Sequence, residues 1–151
     1  MRPSQKEPVQ AATVLCALDI VRSEEGRMLR RKLMDNILYL RAEITRAGLE
    51  TLGDPSPIVP VRLGLESVGR FASRHLMALG GIANLVEYPA VPQGGARFRF
   101  QVMASHTRDD IDQVVQILSK AMRDADLEFR LIQEGQQDAA TRGRPHSNAA
   151  A

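Results

Sequence analysis

From Val9 to Val21 apolar residues occupy almost every side of a helical wheel, with Gln10, Thr13 and Asp19 as the polar interruptions. Pro8 falls where a first-turn proline is tolerated, and a helix apolar all round wants burial on several sides. After Ser23 and Gly26 the pattern changes. Leu29, Leu33, Ile37, Leu40 and Ile44 recur at steps of three and four while RMLRRK supplies charge to the other faces, which predicts an amphipathic helix ending at Gly48.

The turn GDPSP then leads into IVPVRL, a β-branched run whose Pro60 restricts it to an edge or irregular strand. Helical spacing returns from Ser67 to Leu79 through Val68, Phe71, Ala72, Leu76 and Leu79, with Gly80 placed for a left-handed cap. ANLVEY reads as a brief strand, PAVPQGGA as a loop, and RFRFQVM as the clearest alternating strand of the chain. Thr107, with Asp110 three residues on, opens a last helix whose stripe is Ile111, Val114, Val115, Leu118 and Met122.

The order helix, helix, strand, helix, strand, strand, helix predicts an α+β fold: a small, mainly antiparallel sheet covered by helices and preceded by a long helical segment. The expected divisions are a disordered start over 1–7, a helical segment over 8–48, an α+β domain over 49–132 and a disordered tail over 133–151. The tail has no periodicity and little to bury.

Composition narrows the function classes. With 44% hydrophobic and 25% charged residues over 151 positions the chain is globular in profile. Twenty Lys and Arg against eighteen Asp and Glu leave a charge of +2, which demands no polyanionic partner. The basic stretch Arg27, Arg30, Arg31 and Lys32 lacks interleaved aromatics and reads as a solvated helix face rather than a nucleic-acid surface. Asp19 breaks the N-terminal apolar run, which is too short to span a bilayer. The lone Cys16 cannot bridge internally and is expected as a small buried hydrophobe in a reducing, cytoplasmic setting.

Alternation along RFRFQVM sends Phe98, Phe100 and Val102 toward a core and leaves Arg97, Arg99 and Gln101 on the opposite face. Two guanidiniums about 7 Å apart on one strand face can hold a carboxylate or phosphate; the competing reading is a solvated face. The nearby Gly94-Gly95 pair suggests a mobile loop beside that rigid strand. His106, just before a helix start, suits a turn or capping role better than general-base work. His75 falls near the apolar face of the third helix and His146 in the tail, and no pair of histidines has metal-ligand spacing. The pairs Glu24-Glu25 and Asp109-Asp110 sit beside helix starts, where they favour the macrodipole.

At SPIVPVRLG, and above all at PAVPQGGARFRFQVMASHTRDDID, the chain resembles the C-terminal region of the α-oxoamine synthases, within the fold-type-I aminotransferase-like superfamily. That group includes serine palmitoyltransferase, 8-amino-7-oxononanoate synthase, 5-aminolevulinate synthase and 2-amino-3-ketobutyrate CoA ligase. The resemblance covers roughly residues 8 to 123, the block from Pro89 to Asp112 being its most specific part, and PVQAATVLCALDIV looks like the helix after the cofactor-lysine segment. It implies a homodimeric, cytoplasmic enzyme joining an amino acid to an acyl-CoA with pyridoxal phosphate as electron sink. It further implies that an arginine of the RFRF strand holds the substrate carboxylate, Arg99 being the better match and Arg97 the second.

The Schiff-base lysine of such enzymes lies in a motif upstream of this region. Lys6, Lys32 and Lys120 are the only lysines, and none is expected to carry the cofactor. The resemblance therefore implies a C-terminal fragment or split subunit of a pyridoxal-phosphate-dependent C-acyltransferase. It would not be catalytic alone, would bind no cofactor itself, and would need a separate cofactor-domain polypeptide as partner. The alternative is a non-enzymatic small-anion-binding or partner-binding module that keeps the small-domain fold.

Overall fold

A computed structural model describes residues 7–142, with side chains over 9–137. Its elements run α1 (Glu7–Arg22), α2 (Glu24–Arg46), β1 (Ile58–Gly64), α3 (Glu66–Ala78), β2 (Asn84–Val86), β3 (Ala96–Gln101) and α4 (Arg108–Arg142). The three strands form one antiparallel sheet in the order β1-β3-β2. The α+β architecture and the order of elements are those the periodicities predict.

The sheet's inner face is made by Val59 and Val61 of β1, Phe98 and Phe100 of β3 and the half-buried Leu85 of β2. Val59 lies opposite Phe100 and Val61 opposite Phe98. The two phenyl rings meet edge-on at 5.9 Å, the arrangement their quadrupoles favour. Val68, Ala72 and Leu76 of α3 and Ile111, Val115 and Leu118 of α4 cover this face, and Ile37, Leu40 and Ile44 of α2 join the same core. Each such aliphatic or aromatic side chain contributes about 1.5–3 kcal/mol by leaving water.

Pro60 sits in an edge strand because its position leaves no ladder bond to lose. Leu52 N–H donates to Pro60 O at 2.9 Å and Arg62 N–H to Glu50 O at 2.9 Å, so these residues turn their backbone away from β3. Thr51, between them, bridges Val61. A missing N–H at Pro60 therefore costs the sheet nothing. Between Arg62 and Gly64 the register with β3 slips, a bulge that ends the pairing.

The helix ends follow their sequence signals. Ser23 caps α2, its hydroxyl accepting Gly26 N–H at 3.1 Å. Gly48 and Gly80 take φ of 80° and 84° just past α2 and α3, conformations that cost a side-chain-bearing residue and not glycine. At α4, Thr107 N–H and hydroxyl both donate to Asp110 Oδ2 at 2.8 Å while Asp110 N–H donates back to Thr107 Oγ1 at 3.2 Å. That reciprocal cap holds the Asp110 carboxyl below the usual range, the Thr107 backbone donor being the chief cause.

Three expectations change. Residues 133–142, expected as part of a disordered tail, continue α4 as helix; Gln, Ala and Glu propagate a helix that is already nucleated even without an apolar stripe. The start at 1–6, the tail at 143–151 and His146 lie outside the described residues. Cys16 is exposed rather than buried, because α1 packs chiefly on α2 and leaves its apolar residues in solvent, Val9 at 69% and Leu15 at 62%. Leu29, at 43% exposure, lies beyond the end of the core that the rest of its stripe enters.

α3 and α4 are also clamped by charge. Glu128 accepts from Arg74 and lies 3.0 Å from His75 Nε2; the Arg74 donor, more than His75, holds its carboxyl below the ordinary value of 4.5. A depressed folded-state value means that the stabilisation is complete above that ordinary value and is lost as the pH falls through the folded one. Glu128→Gln is expected to flatten the acid limb of the stability–pH curve and leave the neutral limb nearly flat, as followed by thermal melts between pH 3 and 7. An unchanged acid limb refutes the clamp.

Candidate functional site

The outer face of the sheet carries the residues that alternate with the core positions. Cross-strand register places Arg62 opposite Arg97, Pro60 and Asn84 opposite Arg99, and Ile58 opposite Gln101. Among the described residues no helix covers this face as α3 and α4 cover the other, and Arg62, Asn84, Arg99 and Gln101 are all exposed. The face reading of Arg97, Arg99 and Gln101 made from the alternation matches their placement.

The three guanidiniums differ in what they already hold. Arg62 Nε donates to Glu50 Oε2 at 2.7 Å. Arg97 is half-buried and its Nε donates to Gly95 O at 3.1 Å. The Arg99 guanidinium makes no hydrogen bond or ion pair among the described residues. It is thus the one cation of this face with its five donors uncommitted.

Beside Arg99 the sheet falls short. β2 has three residues and pairs only with Arg97 through Arg99, so Gln101 has no β2 residue opposite it. A cleft of about 390 Å³ occupies that gap. Leu40, Phe100, Val102, Ile111 and Val114 give it apolar walls, and Asn84, Arg99, Gln101, His106 and Asp110 line it with polar groups.

The turn from β3 to α4 is built around His106 and a buried asparagine. His106 Nδ1 accepts Met103 N–H at 3.3 Å, and His106 N–H donates to Met103 O at 3.2 Å. A neutral ring so placed carries its proton on Nε2. Asn36, buried in α2 at 4% exposure, donates Nδ2 to Met103 O at 3.1 Å and to His106 O at 2.9 Å. Sequence reasoning passed over Asn36; the available signal was a polar residue next to Ile37 within an apolar stripe. Nearby, Tyr39 donates to Asp112 Oδ1 at 2.8 Å, which raises the phenol's pKa, and the Arg108 guanidinium lies 3.9 Å over the Tyr39 ring.

The Gly94-Gly95 loop is hydrogen-bonded to α3. Gly94 N–H donates to Glu66 Oε1 at 2.9 Å, and Gly95 N–H to Pro92 O at 2.9 Å. A Cβ at Gly95 would come within 2.8 Å of Pro92 O, so close backbone approach requires glycine there. The loop sets where β3 begins, and with it the placement of Arg97 and Arg99.

The remaining candidates lie elsewhere. Glu24 pairs with Arg27 in the first turn of α2, and Arg30 donates to Val21 O at 2.6 Å on a solvated surface. Lys32 is exposed on α2, and Lys120 pairs with Asp124 on α4 at 2.7 Å. Neither lines the cleft. No cluster of three or more His, Cys, Asp or Glu able to hold a metal occurs among the described residues. None of the described helices is long and apolar enough to cross a membrane.

The chain belongs to the aminotransferase class I and II family, whose model matches residues 4–118. Within that family its likeness is to the α-oxoamine synthases. It is 37% identical over 118 residues to 8-amino-7-oxononanoate synthase of Trichlorobacter lovleyi, covering 78% of this chain and 30% of that one. To the 8-amino-7-oxononanoate synthase/2-amino-3-ketobutyrate coenzyme A ligase of Thermus thermophilus it is 35% identical over 113 residues, covering 75% and 28%. Among solved structures it matches 8-amino-7-oxononanoate synthase of Francisella tularensis, with a TM-score of 0.60 and 24% identity over 74% of this chain and 32% of that one. A serine palmitoyltransferase structure with PLP internal aldimine matches with a TM-score of 0.61 and 25% identity over 64% and 25%. The chain spans about 30% of the length of the curated relatives it matches.

Asn36→Leu removes the donor that ties α2 to the β3–α4 turn and leaves the His106 carbonyl without it. The expected loss is about 1–3 kcal/mol of stability, measured by denaturant unfolding. A variant as stable as the parent refutes a structural role for Asn36.

Proposed function

We propose that this chain is the C-terminal part of a pyridoxal-phosphate-dependent acyl-CoA:amino acid C-acyltransferase, in which Arg99 grips the amino acid's carboxylate. Catalysis then needs a cofactor-domain polypeptide that supplies the Schiff-base lysine, and the assembled enzyme is a cytoplasmic homodimer. The observation that carries the proposal is Arg99 itself, an uncommitted guanidinium on an open sheet face; the resemblance of RFRF to the family's carboxylate-binding strand supports the same residue.

The chemistry of that residue fits the role. A planar guanidinium can hold both oxygens of a carboxylate at once and so fix the orientation of the carbon that bears it. Bound pyridoxal phosphate would supply the electron sink for a carbanion at that carbon; this chain supplies position. Arg97, engaged only through Nε, adds positive potential to the face and is the second candidate ligand, whereas Arg62 is neutralised by Glu50. The bare apolar length of α1 supports the second half of the proposal, since a helix exposing Val9, Val14, Leu15 and Ile20 is suited to lie against further protein.

The runner-up is an anion-binding module with no catalytic partner. It is favoured by the three guanidiniums on one face and by the absence of a lysine from the cleft lining.

Incubated with pyridoxal phosphate and borohydride, the purified chain is expected to show no stoichiometric pyridoxyl-lysine adduct by intact-mass measurement. Mixed with a cofactor-domain polypeptide from a relative, it is expected to restore condensation of an amino acid with an acyl-CoA. Arg99→Ala should then lower kcat/KM by roughly 100-fold, the scale of a lost charge-assisted bidentate contact. A stoichiometric adduct on this chain alone overturns the split-enzyme reading. Full activity of the Arg99→Ala mixture overturns the role of Arg99.

A further inference from the structure

The cleft beside Arg99 has two unlike ends, and the difference says what can lie in it. One end is the free guanidinium, flanked by the amide side chains of Asn84 and Gln101. The other is the first turn of α4, where Asp110 is a carboxylate held in its charged form by Thr107. Between them lie apolar walls from α2, β3 and α4. A carboxylate is attracted by the guanidinium at the first end and repelled by Asp110 at the second, and no second Lys or Arg lines the cleft. At about 390 Å³ the space is within the range of small-molecule sites.

We infer that the cleft is a binding subsite for the aliphatic body of a monocarboxylate, entered with the carboxylate on Arg99 and the chain running toward Val114 under the β3–α4 turn. The inference rests on Arg99 as the carboxylate holder and adds what the rest of the bound molecule looks like. A ligand with a bare methyl group leaves the apolar walls wet. One with an aliphatic chain displaces that water and gains about fourfold in affinity for each methylene buried. Two sources share this chemistry, a medium-chain fatty carboxylate and an amino acid with an aliphatic side chain.

His106 also lines the cleft; its Nδ1 is occupied by Met103 N–H, which ties the ring into the β3–α4 turn. The carboxylate's preference for the Arg99 end depends on one cation and on the exclusion of negative charge by Asp110.

The test is titration of the full chain with octanoate, leucine, acetate and 1-octanol, read by methyl shifts of Val102, Ile111 and Val114 and repeated with Arg99→Gln. Arg99 is exposed, so this variant keeps the fold, and a thermal melt checks that it does. The expected result is octanoate or leucine binding at least tenfold tighter than acetate, with shifts at all three residues and a loss of at least fivefold in Arg99→Gln. Leucine matching octanoate assigns the amino-acid source; octanoate alone assigns the fatty source. Octanoate no tighter than acetate, with both dependent on Arg99, overturns the subsite and leaves the carboxylate grip standing. Octanol binding as tightly as octanoate, or binding indifferent to Arg99, overturns the pairing of cleft and cation, as does the absence of any shift at the three methyl-bearing residues.

Discussion

The burial of Phe98 and Phe100 under α3 and α4 is the constraint on which the site depends. A strand that commits these two side chains to the core must hold Arg97 and Arg99 on the other face, because successive residues of a strand point to opposite sides. Core packing and ligand geometry are thus one fact seen from two sides. A slip of one residue in β3 would bury two guanidiniums and expose two phenyl rings, and the opposing rows of Val59 and Val61 make that slip costly.

What distinguishes the arginines is local and electrostatic. Glu50 sits across from Arg62, and the Gly95 carbonyl folds back on Arg97, so each of these charges has a partner within the chain. Arg99 is two residues further from the glycine loop and opposite Pro60 and Asn84, neither of which offers a negative group. Glu66 and Asn36 act at the two ends of the strand, one holding the loop before it and the other the turn after it. Both the entrance and the exit of the strand are tied to helices.

Most of the fold could be read directly from the residues. The alternation of RFRFQVM, the caps at Ser23 and Thr107 and the glycines at 48 and 80 each act within a few positions, and local rules suffice for them. The cleft could not be read in this way. It exists because β2 stops after Val86 in one direction and begins only at Asn84 in the other, and nothing in ANLVEY fixes how many of its residues will pair. Asn36 was hidden for a related reason: its partners, the carbonyls of Met103 and His106, are nearly seventy residues away. The helix past Gln133 was missed because apolar periodicity is a signal of burial, and a solvated extension of an established helix needs none.

The join between α1 and α2 also has a bearing on assembly. Gly26 is buried, and a Cβ there would fall 2.2 Å from Ile20 O and 2.8 Å from Val21 O, so the two helices approach main chain to main chain at this point, with the Arg30 guanidinium also donating to Val21 O. Together with the Ser23 hydroxyl, which accepts from Gly26 and donates to Ile20 O at 2.7 Å, this makes a stiff elbow whose angle does not rely on anything leaning against α1. A greasy arm held at a preset angle loses little freedom when another protein body closes over it, so more of the gain from covering its surface is kept as affinity.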